Sequence, residues 1–397
     1  MIDKKIKNKK NCTGCHGCFN ICPSNCIFME SDEEGFSYPR VNYDKCIKCQ
    51  KCVKVCPILN RVTVNNEPKA YACINKDEVV RSDSSSGGIF TLIAEQVLDE
   101  KGIVFGAIFD KEFNVVHDYV TTKEQLIMLR GSKYTQSNID ITYKKVEKFL
   151  KEDKIVLFSG TPCQIGGLKS FLQRDYDKLF CVDIICHGVP SPMVWRKYVS
   201  YREKCAGVPI ETITFRNKKE GWKRYSMLFR YKDGIAYQRT MDKDLYMKCF
   251  LSDICLRPSC YECQFKTLHR PSDITLADFW GIQNVLPCMD DDKGTSLILV
   301  NSIKGQEMLS KVENRMLFEA VDINQAISNN MAAIKSAEYN TNREKFFYEL
   351  PYLRIDKLIE KYCIDRKFIR LKKKIRLLGG RLLRKIGMLD YVKNSKK

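Results

Sequence analysis

No stretch of this 397-residue sequence approaches the ~20 consecutive apolar residues that a membrane-spanning helix needs. The Lys-rich start, Met1 to Lys10, has no apolar run behind it, which argues against a secretory signal. No G-x-G-x-x-G follows a strand and no P-loop is present, so neither a standard dinucleotide fold nor a nucleotidase is indicated. Acidic residues are in deficit, 48 against 67 basic, for a formal charge of +19. Of that excess, +12 falls in 354–397, so the preceding body carries only +7. That excludes a globally basic nucleic-acid binder and leaves a mildly basic soluble body with a basic tail. The length has room for two or three domains.

What is abundant is cysteine, 20 residues, without the short length of an exported disulfide scaffold. The thiols are therefore expected to be reduced and ligating metal. Cys12, Cys15, Cys18 and Cys22 follow Cys-x-x-Cys-x-x-Cys-x-x-x-Cys, with Pro23 next. The pattern returns at Cys46, Cys49, Cys52 and Cys56 before Pro57. This is the bacterial ferredoxin run, in which three close cysteines hold one 4Fe-4S cluster and the fourth crosses to the other. Cluster one is thus assigned to Cys12, Cys15, Cys18 and Cys56, and cluster two to Cys46, Cys49, Cys52 and Cys22. Tetrahedral zinc prefers paired ligands to triplets with a remote fourth. Cys26 reads as a packed free thiol, and His16 as solvent-facing or hydrogen-bonded near a cluster.

The expected architecture is an α+β ferredoxin-like two-cluster domain over 1–60, a polar linker over 61–69, an α/β domain with a mixed sheet over 70–350, and a basic helical tail over 351–397. Strands are predicted at Ile103–Phe109, Ile155–Phe158, Val182–Ile185 and Leu297–Val300, and helices at Ile89–Leu98, Ile139–Leu150 and Ile165–Leu172. The motif Ser84-Ser85-Ser86-Gly87-Gly88 opens a helix, where exposed N–H groups suit a phosphate; a plain Ser/Gly cap is the competing reading. Gly131–Ser137 forms a polar loop with a cation and an aromatic. Pro162 suits a first helical turn, which puts Cys163 near a helix N-terminus. Cys186 follows another strand, and strand ends bring both thiols to one sheet edge. With the pair Cys260 and Cys263 they number four, enough for a third 4Fe-4S cluster or a zinc site, with Cys255 a substitute ligand. Cys181, Cys205, Cys249, Cys288 and Cys363 read as buried apolar thiols. Gly221-Trp222-Lys223-Arg224 reads either as an anion-binding segment or as a hairpin with surface charges.

The motifs SSSGGIF, LRGSKYTQS, FSGTPCQIGGL, CHGVPSP, RPSCYECQF and RPSDITLADFWG, placed after a double-cluster segment, resemble the coenzyme F420 hydrogenase/dehydrogenase beta-subunit family from about residue 11 to 345. The resemblance implies an α/β domain holding FAD and a further 4Fe-4S cluster. It puts that cluster on Cys163, Cys186, Cys260 and Cys263, and flavin contacts on Ser86, Gly87, Gly88, Ser132, Lys133 and Tyr134. Ala277 departs from it, standing where the family usually has glycine.

The function this implies is an iron-sulfur flavoprotein oxidoreductase. FAD would exchange a hydride with an organic substrate or deazaflavin, and single electrons would pass through the clusters to a redox partner protein or carrier. His187 is a candidate proton donor, with structural support of a neighbouring ligand as the competing role. The alternative is a non-enzymatic electron-transfer adaptor for a partner enzyme, as in cell-surface polysaccharide synthesis. A cytoplasmic location is expected. Phe368, Leu371, Ile375, Leu378, Leu382, Ile386 and Leu389 share one helical face flanked by basic residues. That amphipathic tail suits either peripheral contact with the inner face of an anionic membrane or docking on the body; nucleic acid is the weaker partner.

Overall fold

The computed structural model describes residues 1–61 and 63–364. In the first sixty residues the two cysteine runs repeat one backbone path. The residue before the second cysteine of each run is left-handed, Gly14 at φ 67° and Lys48 at 57°. So is the residue after it, His16 at 61° and Gln50 at 59°. A single helical turn follows in each case, Gly17–Asn20 and Lys51–Lys54, carrying the third cysteine. Strands β1 (Ile27–Ser31) and β2 (Ser37–Val41) pair antiparallel between the two runs, Ile27 opposite Val41.

The hairpin turn is anchored in the body. Phe36 is fully buried among Trp195, Tyr198 and Phe346. Glu34 takes both guanidinium nitrogens of Arg343, one at 2.7 Å. Asn66, within the predicted linker, donates to the carbonyls of Arg270 and Asn301, both at 3.0 Å.

The body is built on an eight-stranded sheet. Its members are β3 (Lys69–Asn75), β4 (Ile103–Phe109), β5 (Val115–Val120), β6 (Val156–Gly160) and β7 (Leu179–Ile184), then, beyond a separate antiparallel sheet of β8 (Ile210–Asn217), β9 (Ser226–Tyr231) and β10 (Ala236–Thr240), β11 (Ile274–Asp278), β12 (Ser296–Val300) and β13 (Met316–Val321). The order is β13-β3-β12-β11-β7-β6-β4-β5. The central pairs β11–β7, β7–β6 and β6–β4 are parallel, and the flanking pairs antiparallel. The predicted mixed sheet is therefore present. Val156, Leu157 and Phe158 have no exposed surface, as expected of a parallel strand covered on both faces. Helix Ile89–Asp99 covers one face, and helices Thr142–Lys151 and Pro162–Leu172 the other.

All four predicted strands form, with ends moved by up to three residues. The helix expected from Ile139 starts at Thr142, because Ile139 and Ile141 precede it in a turn. Residues 351–364, expected in the tail, belong to the body: helix Ile355–Cys363 buries Ile355, Leu358 and Ile359 in the same cluster as Phe36. The amphipathic face from Phe368 to Leu389 lies outside the described residues. Among the described residues no helix is long and apolar enough to cross a membrane.

Helix Pro162–Leu172 joins the two parts. A Cβ on Gly167 would stand 2.8 Å from the Cβ of Cys15 and 2.9 Å from the Tyr143 hydroxyl, so only glycine allows this approach. Gly167→Val is expected to cost about 1–3 kcal/mol by overpacking this contact, read from anaerobic denaturant unfolding.

Candidate functional site

Three recesses are lined by the three predicted cysteine sets. The first, about 330 Å³, has Cys12, Cys15, Cys18 and Cys56 in its wall. The second, about 300 Å³, has Cys22, Cys46, Cys49 and Cys52. Each run's fourth cysteine thus crosses to the other run's recess, as the ferredoxin pattern expects. Cys26 also lines the second recess, its Sγ 3.3 Å from that of Cys22. His16 is buried, not solvent-facing: its ring stands edge-on to Phe19, its Nδ1 has no partner, and burial draws its pKa down to about 3.

The third recess, about 470 Å³, is in the body and is lined by Cys163, Cys186, Cys260 and Cys263. Its position follows from local folding. β6 ends at Gly160, and Thr161 caps the next helix through a capping box with Gln164, with Pro162 in the first turn. That holds Cys163 at the helix mouth, with its Sγ 3.1 Å from the Thr161 hydroxyl. β7 ends two residues before Cys186. The backbone N–H of Val189 donates to the Cys260 sulfur at 3.4 Å. Cys255 is fully buried and is not among the lining residues, so it is not the substitute ligand. Of the remaining cysteines, Cys181 and Cys249 are buried as expected, whereas Cys205 and Cys288 are exposed and Cys363 only partly buried. Cys205 ends its helix beside Gly207 and Cys288 lies in a short surface turn, where nothing packs over them.

Burial pushes the Cys186 thiol up to about 11, Cys260 to about 12, and Cys163 well above the ordinary range. Such thiols are poor nucleophiles, and a bound metal is what deprotonates thiols in this setting. The wall supplies cations to balance thiolates. Lys266 donates to the carbonyls of Cys186 and Ala332, Arg270 pairs with buried Asp183 at 3.2 Å, and Arg257 lies between this recess and the first. Thr13 lines both of those recesses, so they adjoin.

The two predicted flavin loops meet. The Ser85 hydroxyl accepts from the backbone N–H of Ser132 at 2.7 Å and bonds its hydroxyl at 2.9 Å. Gly87 donates its N–H to Ser296 and packs on β3 and β12, with no room for a Cβ. Gly88 is the left-handed cap of helix Ile89–Asp99. The Lys133 ammonium reaches the carbonyls of Arg130 and Gly131, each at 3.3 Å, and forms no ion pair among the described residues. Burial draws its pKa down to about 7. Tyr134 stacks on Phe250 at 4.8 Å, and Phe250 meets His187 edge-on at 5.2 Å. His187 lines the body recess and is held by Asp253 at 2.5 Å. An aromatic contact therefore links the loop of Tyr134 to that recess.

Comparison with known proteins gives the family. A 4Fe-4S dicluster domain matches residues 11–59. The N-terminal and C-terminal models of the coenzyme F420 hydrogenase/dehydrogenase beta subunit match 70–140 and 153–326. The chain belongs to the coenzyme F420 hydrogenase/dehydrogenase beta-subunit family. It is an iron-sulfur member, since the dicluster domain binds 4Fe-4S. The coenzyme F420-dependent sulfite reductase of Methanocaldococcus jannaschii is 26% identical over 318 residues, 76% of this chain and 46% of the relative. An uncharacterized protein of the same organism is 26% identical over 212 residues, 45% of this chain and 57% of that one. The chain spans about half the length of these curated relatives. A chain of the F420-reducing NiFe hydrogenase complex from Methanosarcina barkeri aligns with a TM-score of 0.45 at 18% identity, covering 72% of this chain and 93% of that chain.

In this family member, several residues beside the loops were not singled out from the sequence. Arg216 on β8 pairs with Asp278 at the end of β11, lies 3.4 Å from the Tyr134 hydroxyl, and stacks over Tyr225. Lys218 donates to the Ser86 carbonyl at 3.0 Å. The only sequence signal was the DFWG motif, whose Asp278 and Trp280 approach Arg216. Gly221–Arg224 lies in the β8–β9 connection, with Trp222 buried against Trp280, Lys223 paired to Asp290 and Arg224 3.8 Å from Asp242; the hairpin reading holds and the anion-binding one does not. Ala277 sits in β11 opposite Leu297, where its methyl is accommodated.

Because folded Lys133 loses its proton near pH 7 and an unfolded lysine near 10.4, the unfolded chain binds more protons between these values, and stability rises with pH there. Lys133→Met is therefore expected to stabilise the protein by about 1 kcal/mol at pH 6, with the gain shrinking towards pH 10, as checked by urea unfolding at both.

Proposed function

We propose that the protein is an FAD-dependent oxidoreductase that exchanges a hydride with an organic substrate or a deazaflavin and relays single electrons through three 4Fe-4S clusters. The observation that carries this reading is the set of three recesses, each walled by at least four thiols and two of them sharing Thr13. The same donor set fits the clusters chemically: thiolates are the usual ligands, and Lys266, Arg270 and Arg257 line the body recess. Among the described residues no three His, Cys, Asp or Glu side chains converge on a single ion position, which favours a cluster over zinc at Cys163, Cys186, Cys260 and Cys263.

When bound, FAD supplies conversion between two-electron and one-electron traffic, since a flavin takes either and a cluster takes one. The chain's own part is placement. Ser86, Gly87 and Gly88, at the N-terminus of helix Ile89–Asp99, would hold the pyrophosphate, with Ser132 bonded to Ser85 beside them. Lys133, whose ammonium lacks a carboxylate partner among the described residues, would meet its charge. Tyr134 and Phe250 would stand between the flavin and the body cluster. His187, held by Asp253 and lining the body recess, would support that cluster's wall and supply a proton. Exchange with coenzyme F420 suits this; the curated relative is named a coenzyme F420-dependent sulfite reductase. Nothing in the geometry favours an adaptor without its own substrate.

Anaerobically purified protein is expected to hold about 12 iron, equal acid-labile sulfide and one FAD. Cys163→Ser with Cys263→Ser should remove about a third of the iron and leave the rest. Iron near eight with one zinc per chain would overturn the third cluster.

Ser132→Asp breaks the bond to Ser85 and places a carboxylate at the helix mouth. FAD content is expected to fall about tenfold at unchanged iron, a loss of roughly 1.4 kcal/mol in binding. Full retention of FAD would move its phosphates elsewhere.

A further inference from the structure

The two ferredoxin runs share a backbone but not a surface. Of the thirteen cysteines lining the recesses, only Cys49 is exposed. Around it the second recess opens past Ile47, itself 65% exposed, with Tyr43 42% exposed alongside. The first run, thirty-four positions earlier, is pressed against the body and has Asn11, Thr13, Gly14, Gly17 and Asn20. The second run has Lys45, Ile47, Lys48, Lys51 and Lys54 at the corresponding places, and all five are exposed. Lys48 sits where the first run uses glycine, at φ 57°, and an L-residue there costs on the order of 1 kcal/mol.

Lys4 and Lys5 from the N-terminal helical turn join the rim, with the Lys4 ammonium 4.8 Å from the Tyr43 ring. None of these six lysines forms an ion pair among the described residues. The nearby carboxylates are Asp44 and Asp3, and Asp3 accepts from the Tyr43 hydroxyl at 3.0 Å. The result is a small apolar centre over the one open thiol, ringed by unpaired cations. An apolar core with a charged rim is how transient protein contacts are built, and unpaired cations raise the rate of encounter with an anionic partner.

We propose that this rim docks a small acidic electron-carrier protein, with Ile47 and Tyr43 at the centre of contact and Lys45, Lys48 and Lys51 steering its approach. The proposal rests on the second recess holding the outermost cluster of the relay. In each encounter one electron crosses: the donor's cluster is oxidised by one, the acceptor's is reduced by one, and no bond or proton is exchanged. A contact of this kind buries little area, below about 1,200 Å², so its rate depends on charge.

The test uses the full-length holoprotein, reduced with dithionite and freed of excess reductant, in stopped flow. The acceptors are an oxidised acidic two-cluster ferredoxin, a basic cytochrome c, and a small neutral quinone. The ferredoxin rate constant is expected to fall about tenfold or more as ionic strength rises from about 20 to 300 mM, and cytochrome c to react more slowly at low salt. Lys45→Glu with Lys48→Glu and Lys51→Glu should slow ferredoxin about tenfold at low salt and flatten its salt dependence, with quinone reduction and iron content unchanged. Because the changes are confined to the rim, other basic segments of the chain cannot produce that difference. If the reversed variant loses iron, Lys48→Gln with Lys51→Gln decides, with a loss of about threefold expected. A salt-independent wild-type rate, or a rim variant as fast as wild type, overturns the docking surface. Failure to reduce even the quinone overturns the relay on which it rests.

Discussion

Arg257 is the residue on which the arrangement depends. Its guanidinium is 1% exposed and faces no carboxylate at hydrogen-bond distance. Nε donates to the Cys12 carbonyl at 2.7 Å, one terminal nitrogen to the Gln136 side chain at 2.9 Å, and the other to the Ser37 carbonyl at 3.0 Å. Its backbone N–H bonds the Val189 carbonyl. One buried cation thus ties the first cysteine run, the β1–β2 hairpin, the loop of Lys133 and the segment after Cys186. A buried charge of this kind is tolerated only when its donors are used, and here each nitrogen of the fork finds an acceptor. The cation also lies in the wall of the body recess, where it favours anionic sulfur.

Around that point the two parts of the chain pack together. Gly167 lets Cys15 press against the helix that begins at Cys163, and Phe36 fills a place in the body's core. These packed contacts hold the first and third recesses beside each other. The opposite end of the ferredoxin unit is left open at Cys49. One run is therefore covered by the body and the other open at its surface, although both have the same cysteine spacing.

The loops of Ser85 and Ser132 illustrate a second constraint. Ser85 and Ser132 are 47 positions apart, yet their bond joins the two motifs at the mouth of one helix. β8 then closes over them through Arg216 and Lys218, from a sheet that the central strands do not include. Charge in this region is arranged without a full set of partners among the described residues: Lys133 meets backbone carbonyls and the Phe109 ring, and Arg216 keeps two nitrogens without an acceptor.

The cysteine spacing by itself determined the ligand chemistry and the crossing of the fourth ligands, because a ferredoxin run is a local backbone path that three close thiols and a proline specify. Apolar periodicity likewise determined the central strands β4, β6, β7 and β12 and the helices packed on them. Tertiary structure decided what depends on residues far apart in the chain. Arg257 is 245 positions from Cys12, and Arg216 is 62 from Asp278, so no motif contains either pair. It also decided which thiols are covered: Cys181 and Cys249 are buried while Cys205 and Cys288 are not. The reason is physical. Spacing along the chain sets which groups one turn can aim at a common point, but burial and charge compensation are set by whichever distant element packs over them.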